Sequence, residues 1–168
     1  NLKNNCGMFS VEQLQAGLNT EFLGREVKYL EKTFSTNVDA WECFQTQNPE
    51  GTLIIADHQA KGRGRRQSKW YSAEGKSLTF SFMLLPEIAV EKLGILPLLA
   101  GVSIVKGINN ISNILTGLKW PNDIMISRKK MGGILIESRT IKQGLNVVVG
   151  IGLNINESKD DIPHKLQS

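Results

Sequence analysis

Apolar and polar positions change period several times along the chain, and the changes mark its elements. Residues 10–18 (SVEQLQAGL) have helical spacing behind Ser10, with Gln13 in the capping-box position. Residues 25–33 (REVKYLEKT) predict a strand, and 37–45 (NVDAWECFQ) a short helix opened by Asn37. The turn NPEG (48–51) leads into TLIIAD, a continuous apolar strand, and SLTFSFMLL (77–85) is rich in β-preferring residues. Residues 87–115 predict a helix broken near Pro97, with Leu98, Val102, Val105 and Ile108 on its packed face. GLKWPNDIMIS and KMGGILIES predict two strands joined by the polar turn SRKK, and LNVVVGIGLNIN (145–156) predicts another. The tail ESKDDIPHKLQS, with Pro163, has no clear period. Strands with inserted helices and hairpin-like joins predict an α+β fold, a mixed sheet packed against helices and not a doubly wound one.

Composition narrows this only slightly. The chain has 168 residues, 40% hydrophobic and 21% charged, which suits one domain with its own core. Its formal charge is +4, and residues 61–69 (KGRGRRQSK) carry five basic groups and no acid. Removing those five leaves the rest one unit negative. A local anion site fits that distribution better than a surface that coats nucleic acid. Two cysteines, Cys6 and Cys43, give no CxxC pair or disulfide framework, as expected for reduced thiols in a cytoplasmic protein. No signal-like run opens the chain, and the apolar run 93–105, interrupted by Pro97 and Gly101, predicts a core helix, not a membrane span. The chain begins at Asn1, as expected of a processed protein or a piece of a longer one.

Several familiar signatures fail on inspection. Gly75-Lys76-Ser77 ends like a phosphate-binding loop, but Trp70 stands where the first glycine is needed. Gly62-x-Gly64 and Gly150-x-Gly152 start dinucleotide fingerprints that Gln67 and Ile155 break. His58 and His164 share no ligand-like spacing, which argues against zinc.

Four segments carry chemistry. Ala56-Asp57-His58-Gln59 is followed by Gly62-Arg63-Gly64-Arg65-Arg66 and Lys69-Trp70. Glycines let the backbone close round a ligand, arginines supply forked donors to phosphate or carboxylate, and Trp70 offers a flat face to a base. Alone, this stretch reads more readily as a solvated or RNA-binding basic loop. Lys119-Trp120-Pro121-Asn122-Asp123 combines a stiff turn with one carboxylate, which suits Mg²⁺ or an arginine but also an ordinary turn. Lys129-Lys130-Met131-Gly132-Gly133-Ile134-Leu135-Ile136-Glu137 sets a lysine before paired glycines, where an ammonium can meet developing negative charge or simply face solvent. Gly150-Ile151-Gly152-Leu153-Asn154-Ile155-Asn156 permits close packing.

Taken in order, from about Leu18 to Asn156, these segments closely resemble the catalytic domain of the biotin protein ligase family. GRGRR-x-x-KW followed by KWPND is the most specific part of the match. The resemblance implies a largely antiparallel mixed sheet of the class II aminoacyl-tRNA synthetase and biotin ligase type. It implies that biotin and ATP form biotinyl-5′-AMP and that a lysine of a biotin carboxyl carrier protein, as in acetyl-CoA carboxylase, then takes the biotin. It gives the biotin pocket to Ser35, Thr36, Asn37, Gln59, Arg63, Gly64, Arg65, Lys130, Gly132 and Gly133. It gives the nucleotide to Arg63, Trp70, Asn122 and Asn154, catalysis to Arg65 and Lys130, and Mg²⁺ to Asp123. It further implies a cytoplasmic enzyme without membrane attachment, compatible with a homodimer and without DNA binding by this chain.

Two departures stand out. Many family members carry glycine after GRGRR, where this chain has Gln67, which implies a stiffer loop. Family members also continue past the last strand into helices and a small barrel, and some begin with a winged helix. The chain is therefore expected to be one catalytic domain, residues 1–168, truncated at its C-terminus. The competing readings are a lipoate ligase or transferase of the same superfamily, whose RRxxGGG-like loop is not found here, and a nucleic-acid-binding module using residues 61–71. The second leaves KWPND and KMGGIL unexplained.

Overall fold

A computed structural model describes residues 9–46, 50–141 and 144–161. Cys6, His164, Pro163 and part of the NPEG turn lie outside them. In chain order the elements are α1 (Val11–Gly17), β1 (Val27–Thr33), α2 (Thr36–Thr46), β2 (Leu53–Gln59), β3 (Ser77–Leu84), α3 (Leu96–Ile111), β4 (Thr116–Lys119), β5 (Asp123–Ile126), β6 (Lys129–Ile141) and β7 (Gly144–Asn154). As the capping pattern predicts, the Ser10 hydroxyl accepts the Gln13 N–H at the start of α1.

The seven strands form one sheet in the order β1-β2-β3-β7-β6-β5-β4. Only β1 and β2 run parallel, joined by α2, and every other pairing is antiparallel. The expected α+β fold with a mixed, largely antiparallel sheet is therefore found.

β7 lies at the centre, and its alternation explains both faces. Val147, Val149, Ile151 and Leu153 point to one side, where Leu96, Ala100, Ile104, Val105 and Ile108 of α3 cover them. Val148 points to the other, against Ala40 and Trp41 of α2, with Ile54 and Met83. Burial on both faces is why this strand reads as a continuous apolar run. Gly150 and Gly152 share the face of Val148, and on that face the site is built.

Three expectations need correction. Pro97 does not break a helix; it sits in the first turn of α3, where its missing N–H would have no partner, after a 3-10 turn at Val90–Ile95. The packed face of α3 is the 96/100/104/105/108 row, while Leu98 and Val102 are 44% and 40% exposed. Val90–Ile111 is long and apolar enough to cross a membrane by length and composition. Here it lies along the sheet, and Gly101, tight against the Leu118 side chain, is the one buried residue of α3. Likewise GLKWPNDIMIS is two strands, β4 and β5, with Trp120-Pro121-Asn122 as the turn between the paired Lys119 and Asp123. The turn after β5 is Ser127-Arg128, both at positive φ (46° and 67°), as a tight hairpin requires.

Candidate active site

A cleft of about 360 Å³ opens on the α2 face, between the start of α2, the basic loop, the β4–β5 turn and the middle of β6 and β7. Its inner end is polar and buried. β1 delivers Ser35, Thr36 and Asn37 to the first turn of α2, and each is 3% exposed. The Thr36 N–H donates to Gln59 Oε1 at 2.8 Å. The Thr36 and Ser81 hydroxyls are 2.7 Å apart, and Ser81 donates to Asn37 Oδ1 at 2.6 Å. Asn37 Nδ2 in turn donates to Glu137 Oε2 at 2.7 Å. Gln59 is held from behind, its N–H donating to Ser72 Oγ at 2.9 Å. Buried polar groups joined in a chain hold fixed orientations, so they present a defined donor and acceptor pattern.

Glycine makes room for this chain on the central strand. A Cβ on Gly150 would lie 2.1 Å from Asn37 Oδ1, and one on Gly152 would lie 2.4 Å from the Trp70 indole. Side chains at either position would expel the group that now rests on the strand.

The outer part is cationic. The basic loop is a narrow ring: Gly64 N–H donates to Ser68 O, Trp70 N–H donates to Gly62 O, and Arg63 bridges to Lys69. Arg66 and Gln67 sit at φ 53° and 63°. Gln67 thus occupies, in the left-handed region, the position where the resemblance expects glycine, which strains the loop. Arg63 Nη2 reaches Glu137 Oε2 at 3.0 Å, and Arg65 Nη1 reaches Asn122 Oδ1 at 3.1 Å. Asn122 is itself anchored on β6, exchanging bonds with the Ile134 backbone at 3.0 Å and 2.9 Å.

Lys130 enters the cleft through an irregularity in β6. The β5–β6 register shifts between Ile124, opposite Gly132, and Met125, opposite Lys130. Simple alternation from Gly133 would aim Lys130 at α3; the bulge turns it toward the cleft. Its Nζ pairs with Asp123 Oδ1 at 2.7 Å.

Twelve of the residues expected at a site therefore line one cleft: Ser35, Thr36, Asn37, Gln59, Arg63, Gly64, Arg65, Trp70, Asn122, Asp123, Lys130 and Gly133. Gly132 does not. A Cβ there would meet Leu153 and the Gly152 carbonyl on the α3 side, so the position is tightly packed. Asn154 shares the cleft face of β7 by pleat parity but is outside the lining, one step past Trp70. Ser81 and Glu137 are functional neighbours that the sequence reading did not single out. Their signals are a small polar residue on the inward row of β3 (Thr79, Ser81, Met83) and one acid ending the apolar run of β6.

The geometry joins a polar pocket, a cationic passage and an indole on a glycine floor. A model of the biotin/lipoate A/B protein ligase family matches residues 29–154, the stretch that holds every one of these groups. The chain belongs to that family. Over 162 residues, 96% of the chain, it is 41% identical to a bifunctional ligase/repressor BirA of Bacillus spizizenii, covering 50% of that protein. It is 30% identical over 143 residues, 82% of the chain, to a biotin–[acetyl-CoA-carboxylase] ligase of Mycobacterium tuberculosis, covering 52% of it. The fold matches a biotin protein ligase from Aquifex aeolicus in complex with biotin and ATP at a TM-score of 0.69 and 38% identity, covering 85% of this chain and 57% of that one. It also matches a biotin protein ligase from Leishmania major in complex with biotinyl-5-AMP at 0.67 and 26% identity, covering 81% and 61%. The chain thus spans about half the length of the curated relatives it matches.

Proposed function

We propose that this chain supplies the catalytic site of an ATP-dependent biotin protein ligase. The observation that carries the reading is one cleft whose buried end is the chain Gln59, Thr36, Ser81, Asn37 and whose mouth holds Arg63, Arg65 and Lys130. Biotin pairs a cyclic urea with a carboxylate at the end of an apolar tail. The urea both donates and accepts, as the buried end does. The carboxylate needs cations, which the mouth provides.

Activation brings that carboxylate to the α-phosphate of ATP. A carboxylate oxygen forms a bond to phosphorus, pyrophosphate leaves, and the product is biotinyl-5′-AMP. Two anions must meet, so Lys130 and the loop arginines offset their repulsion and the charge that builds on phosphorus. Trp70, half-buried in the cleft lining, offers its ring to the base of the nucleotide. The ring closed by Gly64 and Ser68 shields the anhydride from water. In the second step an acceptor lysine amine attacks the biotinyl carbonyl and AMP leaves, so no nucleophile from the chain is required.

Mg²⁺ neutralises charge on the triphosphate when bound. Asp123, the cleft-lining carboxylate beside Lys130, is the oxygen donor that would hold it. The described residues contain no cluster of three or more acidic, His or Cys groups that would cage a metal. A single donor suits a cation bound mostly by phosphate and water. The proposed acceptor is a biotin carboxyl carrier domain, and the proposed site of the reaction is the cytoplasm.

The test is incubation with ATP, Mg²⁺ and labelled biotin or lipoate, followed by separation of the adenylates. Biotinyl-AMP, with lipoate a poor competitor, is expected. Lipoyl-AMP instead, or steeply salt-dependent oligonucleotide binding without any adenylate, would overturn the reading.

A further inference from the structure

Glu137 has no part in the chemistry just described, yet it ties the two halves of the cleft together. It shares the cleft face of β6 with Gly133 and Leu135. Its Oε2 accepts Asn37 Nδ2 at 2.7 Å and Arg63 Nη2 at 3.0 Å. One oxygen thus joins the buried end, through α2, to the basic loop.

We propose that Glu137 is a positioning residue with two effects: it latches the basic loop onto β6, and it fixes the hydrogen-bond direction of the buried pocket. The second effect follows from proton counting. An ionised carboxylate only accepts, so Asn37 must turn its NH₂ toward Glu137 and its Oδ1 toward Ser81. Ser81 uses its one hydroxyl proton on that Oδ1. The Thr36 hydroxyl lies 2.7 Å from Ser81 Oγ and 3.2 Å from Gln59 Oε1, and its one proton goes to Ser81, the shorter contact. Gln59 Oε1 accepts the Thr36 N–H at 2.8 Å, which leaves the Gln59 amide NH₂ as a donor to a ligand. That donor suits the C=O of a cyclic urea. Without the charge on Glu137, the Asn37 amide is free to flip, and the hydroxyl chain reverses with it.

The first effect concerns the loop. The carbonyls and N–H groups of residues 62–70 bond mainly within the ring. Arg63–Glu137 and Arg65–Asn122 are the side-chain bonds that fasten the ring across the cleft. The Arg63 and Glu137 side chains are 42% and 27% exposed, so the pair is accessible enough to break and re-form.

The pocket-polarity half rests on the biotin reading; the latch half does not. Glu137→Gln keeps the shape and removes the charge. In the ligand-free protein it should speed tryptic cleavage within residues 61–70 several-fold. The double variant with Arg63→Gln should be cleaved no faster than the faster of the two single variants. In adenylate formation, Glu137→Gln should raise KM for biotin about tenfold, the loss of one charge-assisted hydrogen bond. KM for ATP should rise much less, and kcat should fall less than KM for biotin rises. A general loss of folding would instead move all three together and lower the melting temperature. Unchanged loop cleavage together with an unchanged KM for biotin overturns the inference. Faster cleavage in a protein whose wild type makes no biotinyl-AMP keeps the latch and removes the biotin reading.

Discussion

Lys130 Nζ lies 2.7 Å from Asp123 Oδ1, so the lysine that enters the cleft through a bulge is held by the acid that closes the Trp-Pro-Asn turn. The Lys130 and Asp123 side chains are 49% and 25% exposed, which caps the stability of the pair at about 1 kcal/mol. Lys130→Ala should therefore melt close to wild type yet lower the rate of biotinyl-AMP formation by roughly 10²–10³, the size of losing one donor aimed at developing charge. Asp123→Asn frees the ammonium and removes the candidate metal ligand. It should leave Lys130 able to act but raise the Mg²⁺ concentration needed for half-maximal rate. A Lys130→Ala variant with wild-type adenylate formation would sink the assignment.

Gly150 offers a sharper structural test. A Cβ at that position would lie 2.1 Å from Asn37 Oδ1 and 2.9 Å from its Cγ. Neither α2 nor the central strand can move away easily, since Trp41 and Val148 lock them together one step along. Gly150→Ala should lower stability by about 1–3 kcal/mol, as overpacking does, and abolish detectable biotin binding by calorimetry. Gly117→Ala, with nothing within 4 Å of the added Cβ, is the matched control. Biotin binding of wild-type strength in Gly150→Ala would show that Asn37 does not shape the pocket.

Local chemistry was the legible part of this chain. Ser35, Thr36, Asn37 and Gln59 belong to short stretches at element ends, and they converge because β1 and β2 are adjacent parallel strands. What escaped depends on distant pairing. Asn37 meets Ser81 across 44 residues and Glu137 across 100, because β3, β7 and β6 are neighbours in an order the chain does not follow. The side to which Lys130 points depends on a one-residue register shift that no period reveals. The packed face of α3 was misjudged because its apolar residues surround the helix. Leu98 and Leu99 are as apolar as Leu96 and Ile104, and only the sheet decides which row is covered. Gly132 and Gly133 look equivalent in sequence and face opposite sides of β6.

Only strong acid should loosen the contacts that Asp161 makes at the end of the described chain. Hydrogen bonds from the Lys76 side chain, and then from the Ser158 hydroxyl and backbone N–H, hold the Asp161 carboxyl down at about 2, against an ordinary 3.8. A depressed carboxylate adds stability that is present above 3.8 and is lost as pH falls through about 2. Replacing Lys76 by Met should move the Asp161 midpoint up toward 3.8 in an NMR titration, and added salt should move the wild type the same way. A wild-type midpoint already at 3.8 would refute the pairing.

Trp70 separates the nucleotide from the biotin in one substitution. Its indole rests on Gly152, its Cζ3 lies 3.9 Å from a Cβ placed on Gly133, and its Nε1 is buried without a partner among the described residues. Trp70→Phe keeps an aromatic face over the glycines but removes the donor and part of the surface. If the indole serves the nucleotide, KM for ATP should rise several-fold, about the loss of part of a stacking surface, while KM for biotin stays within about twofold. The alternative is that Trp70 only wedges the loop onto the sheet. Loss of the wedge would loosen Arg63, Arg65 and the pocket together, raising both constants and exposing residues 61–70 to trypsin. A rise in KM for ATP alone, with loop cleavage unchanged, therefore assigns Trp70 to the nucleotide.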